Sequence, residues 1–233
     1  MIKEILTFGY NEYAKEITRN FILDGFSVKL YVIDEASFTN AKEDGLKVEL
    51  VELDDDWLSI GRDFDLDKVI CFCALDDDAQ NVFLTISLRA EYEDLYIISL
   101  ATSKDSAEKL QLAGANKAIP KLETTANVIV ESLEKPAVLE VMNDLLYRDK
   151  DLKLAEYIIE KNSALEGEFL HEIELHKLYN IIILAVGDKE REAEFTFSAE
   201  GHNHKVEMGD VLVVMGREND LQKFANHISG KSE

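Results

Sequence analysis

The sequence predicts an α/β protein in which a doubly wound parallel sheet is followed by a second, smaller α+β domain. Two observations lead to this fold class. Residues 3–100 alternate short, β-rich apolar runs with amphipathic helical stretches, and after about residue 120 this alternation gives way to a long helical pattern. Strands joined by helices pair in parallel through right-handed crossovers, so repeated units of this kind build an open sheet with helices on both faces.

Five apolar runs are predicted to be strands that are buried on both faces, because they are short and apolar and are separated by helical patterns. They are Ile5–Phe8, Val28–Ile33, Val48–Leu53, Val69–Cys73 and Leu95–Leu100. Between the strands, Asn11–Leu23 and Asn81–Ala90 carry apolar residues at helical spacing and predict crossover helices.

The second half of the chain predicts a connector followed by a small domain. A long helix is expected from about Glu123 to Leu146, followed by shorter elements and a final helix near Glu218–His227. The shorter elements are predicted as strands at Ala155–Ile159, Ile181–Val186, Ala193–Ser198 and Val211–Met215, with a helical turn at Phe169–Leu175. We therefore expect a sheet domain at residues 1–122, a connector at 123–150 and an α+β domain at 151–233.

The composition excludes several classes of partner. The chain of 233 residues has 47 acidic and 25 basic residues, which gives a net charge of −22. Such a surface repels nucleic acid and anionic membrane surfaces. The 46% of hydrophobic residues predicts a real core, while no run reaches the roughly 20 apolar residues of a membrane span. We expect a soluble, cytoplasmic chain that does not itself insert into the membrane.

The first strand-to-helix turn is the default ligand position in such a sheet. It reads Gly9-Tyr10-Asn11-Glu12-Tyr13-Ala14, against the dinucleotide-binding pattern G-x-G-x-x-G/A. Asn11 replaces the second glycine and adds bulk where a pyrophosphate would lie, and Glu12 adds a carboxylate nearby. Asp34 follows at the distance where an acid hydrogen-bonds a ribose hydroxyl. The turn predicts a Rossmann-like nucleotide site with a weakened phosphate-binding segment.

Two runs of aspartates follow the third and fourth predicted strands, at Asp54–Asp56 and Asp76–Asp78. One interpretation is a carboxylate cluster at the mouth of the sheet, since Mg²⁺ and Ca²⁺ prefer oxygen ligands. The other is helix capping, because each run precedes a helical stretch and Asp is a strong N-cap residue. We favour capping for both runs.

Other reactive side chains have ordinary structural interpretations. Cys71 and Cys73 lie in an apolar run and are predicted to be core residues, because free cysteine is often buried. The segment His202–His204, with Glu207 nearby, is predicted to be a solvated loop, since a zinc or nickel site needs three or four convergent ligands.

Several segments of the chain carry family motifs. In the first half they are Asp76–Ala90, Leu95–Ser99 and Lys109–Pro120, the last reading KLQLAGANKAIP. They resemble the RCK domain, the regulator of potassium conductance, and the related nucleotide-binding subunits of Trk and Ktr potassium transporters. Ala126–Val130, with Glu134–Pro136, is similar to the crossover helix through which subunits of this family exchange contacts.

The second half resembles the C-terminal ligand-sensing domain of the same family, which is TrkA-C-like. The similar segments are Ser163–Leu170 and Gly209–Gly216, the latter reading GDVLVVMG. The resemblance therefore extends over almost the whole chain.

The resemblance implies a cytosolic, ligand-sensing gating-ring domain of a prokaryotic potassium channel, which couples nucleotide or cation binding to potassium transport and is not an enzyme. It implies a homo-oligomer, with dimers formed through the crossover helix and an octameric ring, and a membrane pore domain or subunit as partner. The chain would then lie in the cytoplasm at the inner membrane. One alternative is a peripheral nucleotide-binding subunit of a Trk or Ktr transporter. Another is an NAD(P)-dependent oxidoreductase, which uses the same fold.

The resemblance also indicates the ligand, which is an adenine nucleotide, NAD or a divalent cation. No catalytic residue and no metal ligand is predicted, and the calcium site of some relatives is not expected because Ser99–Thr102 has no carboxylate. The candidate contacts are Gly9, Tyr10, Asn11, Glu12, Asp34, Asp54, Ala74, Leu75 and Asp76.

Overall fold

The computed structural model describes residues 2, 4–148, 151–161, 163–187, 195–197 and 204–228. The chain forms two compact units, Met1–Val130 and Glu131–Glu233. The first unit contains a parallel sheet and the second an antiparallel one, which confirms the predicted fold class. None of the helices formed by the described residues combines the length and the apolar character needed to cross a bilayer.

The first unit is built on six parallel strands in the order β3-β2-β1-β4-β5-β6. In chain order, β1 to β6 are Glu4–Phe8, Ser27–Val32, Val48–Leu50, Val69–Cys73, Tyr96–Ala101 and Lys117–Pro120. The chain moves outward on one side of β1 and then crosses to β4 on its other side. In open α/β sheets, ligands bind at this switch point, beyond the carboxyl ends of the two central strands.

Helices cover both faces of this sheet. They are α1 to α5, Glu12–Leu23, Glu35–Glu43, Leu58–Asp63, Asp78–Glu91 and Lys104–Leu112. The next helix, α6, is Lys121–Glu134, and none of its residues is buried. The central strands are buried on both sides, and Cys71 and Cys73 have no exposed surface, which confirms that they are core residues. Burial raises the pKa of the Cys73 thiol to about 12, so this thiol is protonated and unreactive at neutral pH.

The second unit has a four-stranded antiparallel sheet in the order β7-β10-β8-β9. Its strands β7 to β10 are Leu152–Ile158, Ile182–Gly187, Phe195–Phe197 and Val211–Arg217, and its helices α7 to α9 are Pro136–Asn143, Leu175–Leu178 and Glu218–Ile228. Leu221, Phe224 and Ile228 of α9 are buried in an apolar core with Leu212 and Val214 of β10.

Three predicted elements are wrong in detail. The long helix predicted at residues 123–146 is two helices, α6 and α7, which are separated at Lys135. Pro136 disfavours the helical conformation of the residue before it, and this residue is Lys135. The helical turn predicted at Phe169–Leu175 lies later, as α8. The third strand ends at Leu50, and β6 was not predicted as a strand.

Candidate functional site

A cleft of about 340 Å³ opens at the carboxyl ends of the central strands, near the switch point of the sheet. This volume is within the range of small-ligand sites. Its lining residues are Gly9, Tyr10, Ile33, Asp34, Ser37, Leu75, Asp76 and Gln80. Five of the nine residues that the sequence nominated line this cleft, and two others, Asn11 and Ala74, support it by hydrogen bonds.

Gly9 brings the turn after β1 against the end of β4. Its φ is +101°, and a Cβ atom at this position would lie 2.5 Å from the Ala74 carbonyl oxygen. Gly9 N–H donates to the Tyr31 carbonyl at 2.8 Å, so the turn is also tied to β2. Only glycine meets both requirements, because it tolerates positive φ and has no side chain. The floor of the cleft therefore depends on this residue.

Asn11 joins the same turn to the loop that follows β4. It is the N-cap of α1, and its Oδ1 accepts a hydrogen bond from Ala14 N–H at 2.9 Å. Its Nδ2 donates to the Ala74 carbonyl at 2.8 Å and to Asp76 Oδ1 at 2.9 Å. The side chain that weakens the glycine pattern thus crosslinks the two loops that border the cleft.

Asp34 lies at the other side of the cleft, after β2. It is the N-cap of α2, and its Oδ1 accepts a hydrogen bond from Ser37 N–H at 2.9 Å. Hydrogen bonds from the Ser37 backbone and hydroxyl lower the pKa of Asp34, so it is ionised at neutral pH. Since a carboxylate accepts several hydrogen bonds, Asp34 can cap its helix and also accept from a ligand hydroxyl.

Tyr10 closes the cleft towards α2. Its hydroxyl donates to Asp44 Oδ2 at 2.6 Å, and Lys15 forms an ion pair with the same carboxylate. Burial, together with the hydrogen bond to Asp44, raises the pKa of Tyr10. Lys15 is the basic residue nearest in sequence to the first turn, and its side chain pairs with the Asp44 carboxylate.

Asn81 shapes the end of β4 and was not nominated from the sequence. It is 1% exposed. Its Oδ1 accepts from Leu75 N–H at 2.9 Å, and its Nδ2 donates to the Leu75 carbonyl at 3.0 Å and the Leu100 carbonyl at 3.3 Å. The signal that could have found it is its helical spacing from Leu84 and Leu88, which places this polar residue on the buried face of α4.

The aspartates after β4 have three different roles. Asp76 lines the cleft, while Asp77 caps α4 by accepting hydrogen bonds from Ala79 N–H at 2.8 Å and Gln80 N–H at 3.0 Å. Asp78 accepts from Thr102 N–H at 2.9 Å. The capping interpretation is therefore confirmed for Asp77, while Asp76 and Asp78 have other roles.

The aspartates after β3 do not cap a helix, so the capping interpretation is wrong for Asp54–Asp56. The N-cap of α3 is Trp57, which makes no side-chain capping bond. Asp55 instead accepts a hydrogen bond from Glu52 N–H at 2.9 Å and stabilises an exposed turn. Asp54 is exposed and does not line the cleft.

Three lining residues were not predicted as site residues: Ile33, which directly precedes Asp34, and the two polar residues Ser37 and Gln80. Ser37 and Gln80 are each the third residue after a capping aspartate, Asp34 or Asp77, and this spacing could have identified them. Glu12 is exposed in the first turn of α1 and does not line the cleft.

The predicted loop at His202–His204 is described only from His204 onward, so the other two residues lie outside the described part of the chain. His204 Nε2 lies 2.8 Å from Asp210 Oδ2, and Asp210 is 5% exposed. Within the described ranges, no three His, Cys, Asp or Glu side chains come together in an arrangement that could hold a metal ion.

Comparison with protein families decides the classification. A family model of the TrkA-N domain matches residues 5–121, and one of the TrkA-C domain matches residues 154–229. The chain belongs to the TrkA-N/TrkA-C family, also called RCK domains. The TrkA-N match covers all six strands of the parallel sheet and the cleft. The TrkA-C match covers most of the antiparallel sheet and α9.

Known relatives of this TrkA-N/TrkA-C chain include channel proteins. It is 24% identical to potassium channel protein 1 and 25% identical to probable potassium channel protein 2 of Methanocaldococcus jannaschii, over 95% and 97% of this chain. It spans 66% of the length of each relative. The human SLO3 gating ring shares the fold, with a TM-score of 0.65 at 13% identity over 95% of this chain and 46% of that one.

Proposed function

We propose that this chain is the cytosolic ligand-sensing domain of a prokaryotic potassium channel, which couples binding of a nucleotide or a cation to potassium transport. The observation that carries the proposal is the presence of both family domains in one chain whose curated relatives are potassium channel proteins. In this proposal the pore is formed by a joined membrane segment or by a separate subunit. The ligand binds one ring geometry better than another, and this difference in affinity shifts the gate.

The proposed assembly is a homo-oligomer, formed of dimers that associate into an octameric ring. The sheet domain is residues 1–122, the connector 123–150 and the sensing domain 151–233. Support comes from the connector, because no residue of α6 or α7 is buried in the described structure. Its exposed apolar residues include Val128, Ile129, Leu133, Val138 and Val141. On α6, Ile129 and Leu133 are one helical turn apart and lie on the same exposed face, and such an apolar face favours an interface with a second copy.

Light scattering on the purified chain tests the assembly. We expect a multimer at tens of micromolar, and the Leu133→Glu variant is expected to reduce its mass because it puts a charge on the α6 face. Leu133 is 79% exposed and Leu23, at the end of α1, is 76% exposed. Leu23→Glu is the matched control and is expected to leave the mass unchanged. A strictly monomeric wild type would contradict the proposal.

The proposed ligand site is the cleft at the switch point, with Asp34 on a ribose hydroxyl of an adenine nucleotide or NAD. Support comes from the position of the cleft in the sheet and from the free hydrogen-bonding capacity of the Asp34 carboxylate. The carboxylates of Asp34 and Asp76 also favour a divalent cation, alone or held with the nucleotide. Among the described residues that line this cleft, Asp34 and Asp76 are the only carboxylates.

Thermal shift with adenine nucleotides, NAD, Mg²⁺ and Ca²⁺ tests the ligand, because a ligand that binds the folded state raises its melting temperature. The decisive variant is Asp34→Ser. Serine also caps helices, so α2 keeps a cap while the ligand loses the carboxylate. We expect the nucleotide shift to disappear in this variant and to persist in Asp54→Ser, which changes an exposed aspartate outside the cleft. An unchanged shift in Asp34→Ser would move the site elsewhere.

The oxidoreductase alternative shares the fold and is tested separately. The curated relatives are channel proteins and support a regulatory domain without catalysis. We expect no change in nicotinamide absorbance when NADH or NADPH is mixed with the chain and simple carbonyl substrates. Turnover of either cofactor would favour the enzyme.

A further inference from the structure

Asn11 uses all of its polar groups to close the turn after β1. Its Oδ1 accepts from Ala14 N–H at 2.9 Å, and its Nδ2 donates to the Ala74 carbonyl at 2.8 Å and to Asp76 Oδ1 at 2.9 Å. The side chain therefore spans from the first turn of α1 to the loop after β4. These two segments border the cleft, so the Asn11 side chain bridges its two sides.

The position of Asn11 is the one at which a dinucleotide-binding turn has its second glycine. That glycine lets a pyrophosphate approach the backbone, and the N–H groups of the following helix then bind the phosphates. Here the Ala14 N–H already has an acceptor in Asn11 Oδ1. A phosphate in this place would have to displace the side chain and break its bonds to Ala74 and Asp76.

The charge of the cleft also disfavours phosphate. Among the described residues that line it there is no Lys or Arg, while Asp34 and Asp76 are both present. Asp34 accepts hydrogen bonds from the Ser37 backbone and hydroxyl, and Asp76 accepts one from Asn11 Nδ2. An ionised carboxylate only accepts hydrogen bonds, so its remaining lone pairs can accept from the hydroxyl groups of a ribose. The negative charge of such a carboxylate repels a phosphate.

We propose that Asn11 is a specificity-determining residue that closes the phosphate subsite, so that the cleft binds the nucleoside part of its ligand and leaves the phosphates in solvent. This inference rests on the proposed nucleotide site. It gives the sensor a ligand preference in which the ribose and base carry the affinity. The number of phosphates then changes the affinity little.

Calorimetric titration of the full chain with adenosine, ADP and NAD tests the inference. We expect dissociation constants within about threefold of one another, because a charge-assisted phosphate bond would separate them by about tenfold or more. Binding of ADP or NAD more than about tenfold tighter than adenosine would overturn the inference and leave the proposed nucleotide site intact. Absence of binding by all three compounds would remove the nucleotide site itself, and the inference with it.

Asn11→Gly provides the complementary measurement, because it restores the glycine of the pattern and opens the subsite. We expect ADP and NAD to gain about tenfold over adenosine in this variant. The matched control is Ser103→Gly, which removes an N-cap side chain from α5, where Ser103 Oγ accepts from Ser106 N–H at 3.3 Å. Equal gains in both variants, or none in Asn11→Gly with an intact circular dichroism spectrum, would overturn the inference. If Asn11→Gly does not fold, the wild-type comparison of adenosine with ADP decides.

Discussion

The runs Asp54–Asp56 and Asp76–Asp78 have the same three residues, and each follows a strand of the parallel sheet. After β4, the aspartates line the cleft, cap α4 and bind the turn that follows β5. After β3, one aspartate stabilises an exposed turn, and α3 begins without a side-chain cap. The same tripeptide thus connects several segments at the end of β4 and makes only a local turn after β3.

The position of each strand in the sheet explains this difference. β4 pairs with β1 and β5, so its carboxyl end lies between the turns that supply Asn11 and Thr102. β3 is an edge strand and pairs only with β2. In a parallel sheet the carboxyl ends of neighbouring strands meet at one edge, so a central strand offers its side chains partners on both sides. The context in the sheet therefore decides what an acidic run does.

The largest expected effect is at Gly9, which holds the end of β4 against the first turn. Gly9→Ala combines a positive φ, which costs about 1–2 kcal/mol, with a clash against the Ala74 carbonyl, which costs about 1–3 kcal/mol. Gly45 lies before β3 with φ +77° and nothing within 4 Å of an added Cβ. Gly45→Ala is therefore the matched control, and we expect it to lose only the cost of positive φ. Denaturant unfolding measures both, and equal losses would show that the close approach at β4 is unimportant.

The next effect is at Asn81, which has no counterpart after β3. Asn81→Ala leaves the buried Leu75 N–H without its partner, which costs about 1–3 kcal/mol. The control is Ser87→Ala, because Ser87 lies on the same helix and its hydroxyl makes only an exposed local bond to the Phe83 carbonyl. We expect the control to change the free energy of unfolding by less than about 0.5 kcal/mol. Chemical denaturation of both variants compares them, and a small loss in Asn81→Ala would indicate that β4 ends without this clamp.

The third effect is a dependence on pH at Asp78. Burial opposes its ionisation, but hydrogen bonds from Ser106 and Thr102 outweigh it and lower the pKa of Asp78 below its ordinary value of 3.8. A lowered folded-state pKa stabilises the fold above the unfolded pKa, and this contribution is lost as the pH falls through the folded value. We expect Asp78→Asn to be less stable than wild type at pH 7, and the difference to shrink below pH 3.8. A difference that stays constant down to pH 2 would mean that the charge of Asp78 is irrelevant.

The smallest effect compares one residue from each aspartate run. Asp77→Ala removes the N-cap of α4 and is expected to cost about 0.5–2 kcal/mol. Asp54→Ala changes an exposed residue for which we expect less than about 0.5 kcal/mol. Thermal unfolding under identical conditions measures the two changes. If Asp54→Ala were as damaging as Asp77→Ala, the contrast between the central and the edge strand would fail.

The sequence predicted the parts of the fold in which the apolar pattern is continuous. Of the five strands predicted for the parallel sheet, four appear within one or two residues of their expected limits, while the third was predicted to end at Leu53 and ends at Leu50. β6 was missed because it is four residues long, ends in Pro120 and alternates between exposed and half-buried positions. The connector was predicted as one helix because its apolar spacing continues past Lys135, where the backbone breaks.

The candidate site divides in a similar way. Gly9 and Asp34 were nominated because their spacing along the chain follows a known geometry, and both line the cleft. The helical spacing of Asn81 from Leu84 and Leu88 indicates that its side chain is buried, but its hydrogen bonds to the Leu75 and Leu100 backbone come from the tertiary structure. Asn11 was recognised as a departure from the glycine pattern, but its two bonds across the cleft come from the tertiary structure.

The exposed connector has a thermodynamic consequence. A 14-residue helix such as α6 is marginal in water when nothing packs against it. In the proposed ring its helical state draws its free energy from association, so its melting temperature rises with protein concentration. The buried sheet of the first unit melts independently of dilution. Lowering the subunit concentration would then unwind the link between the two domains first, so that transmission of the ligand signal fails before ligand recognition does.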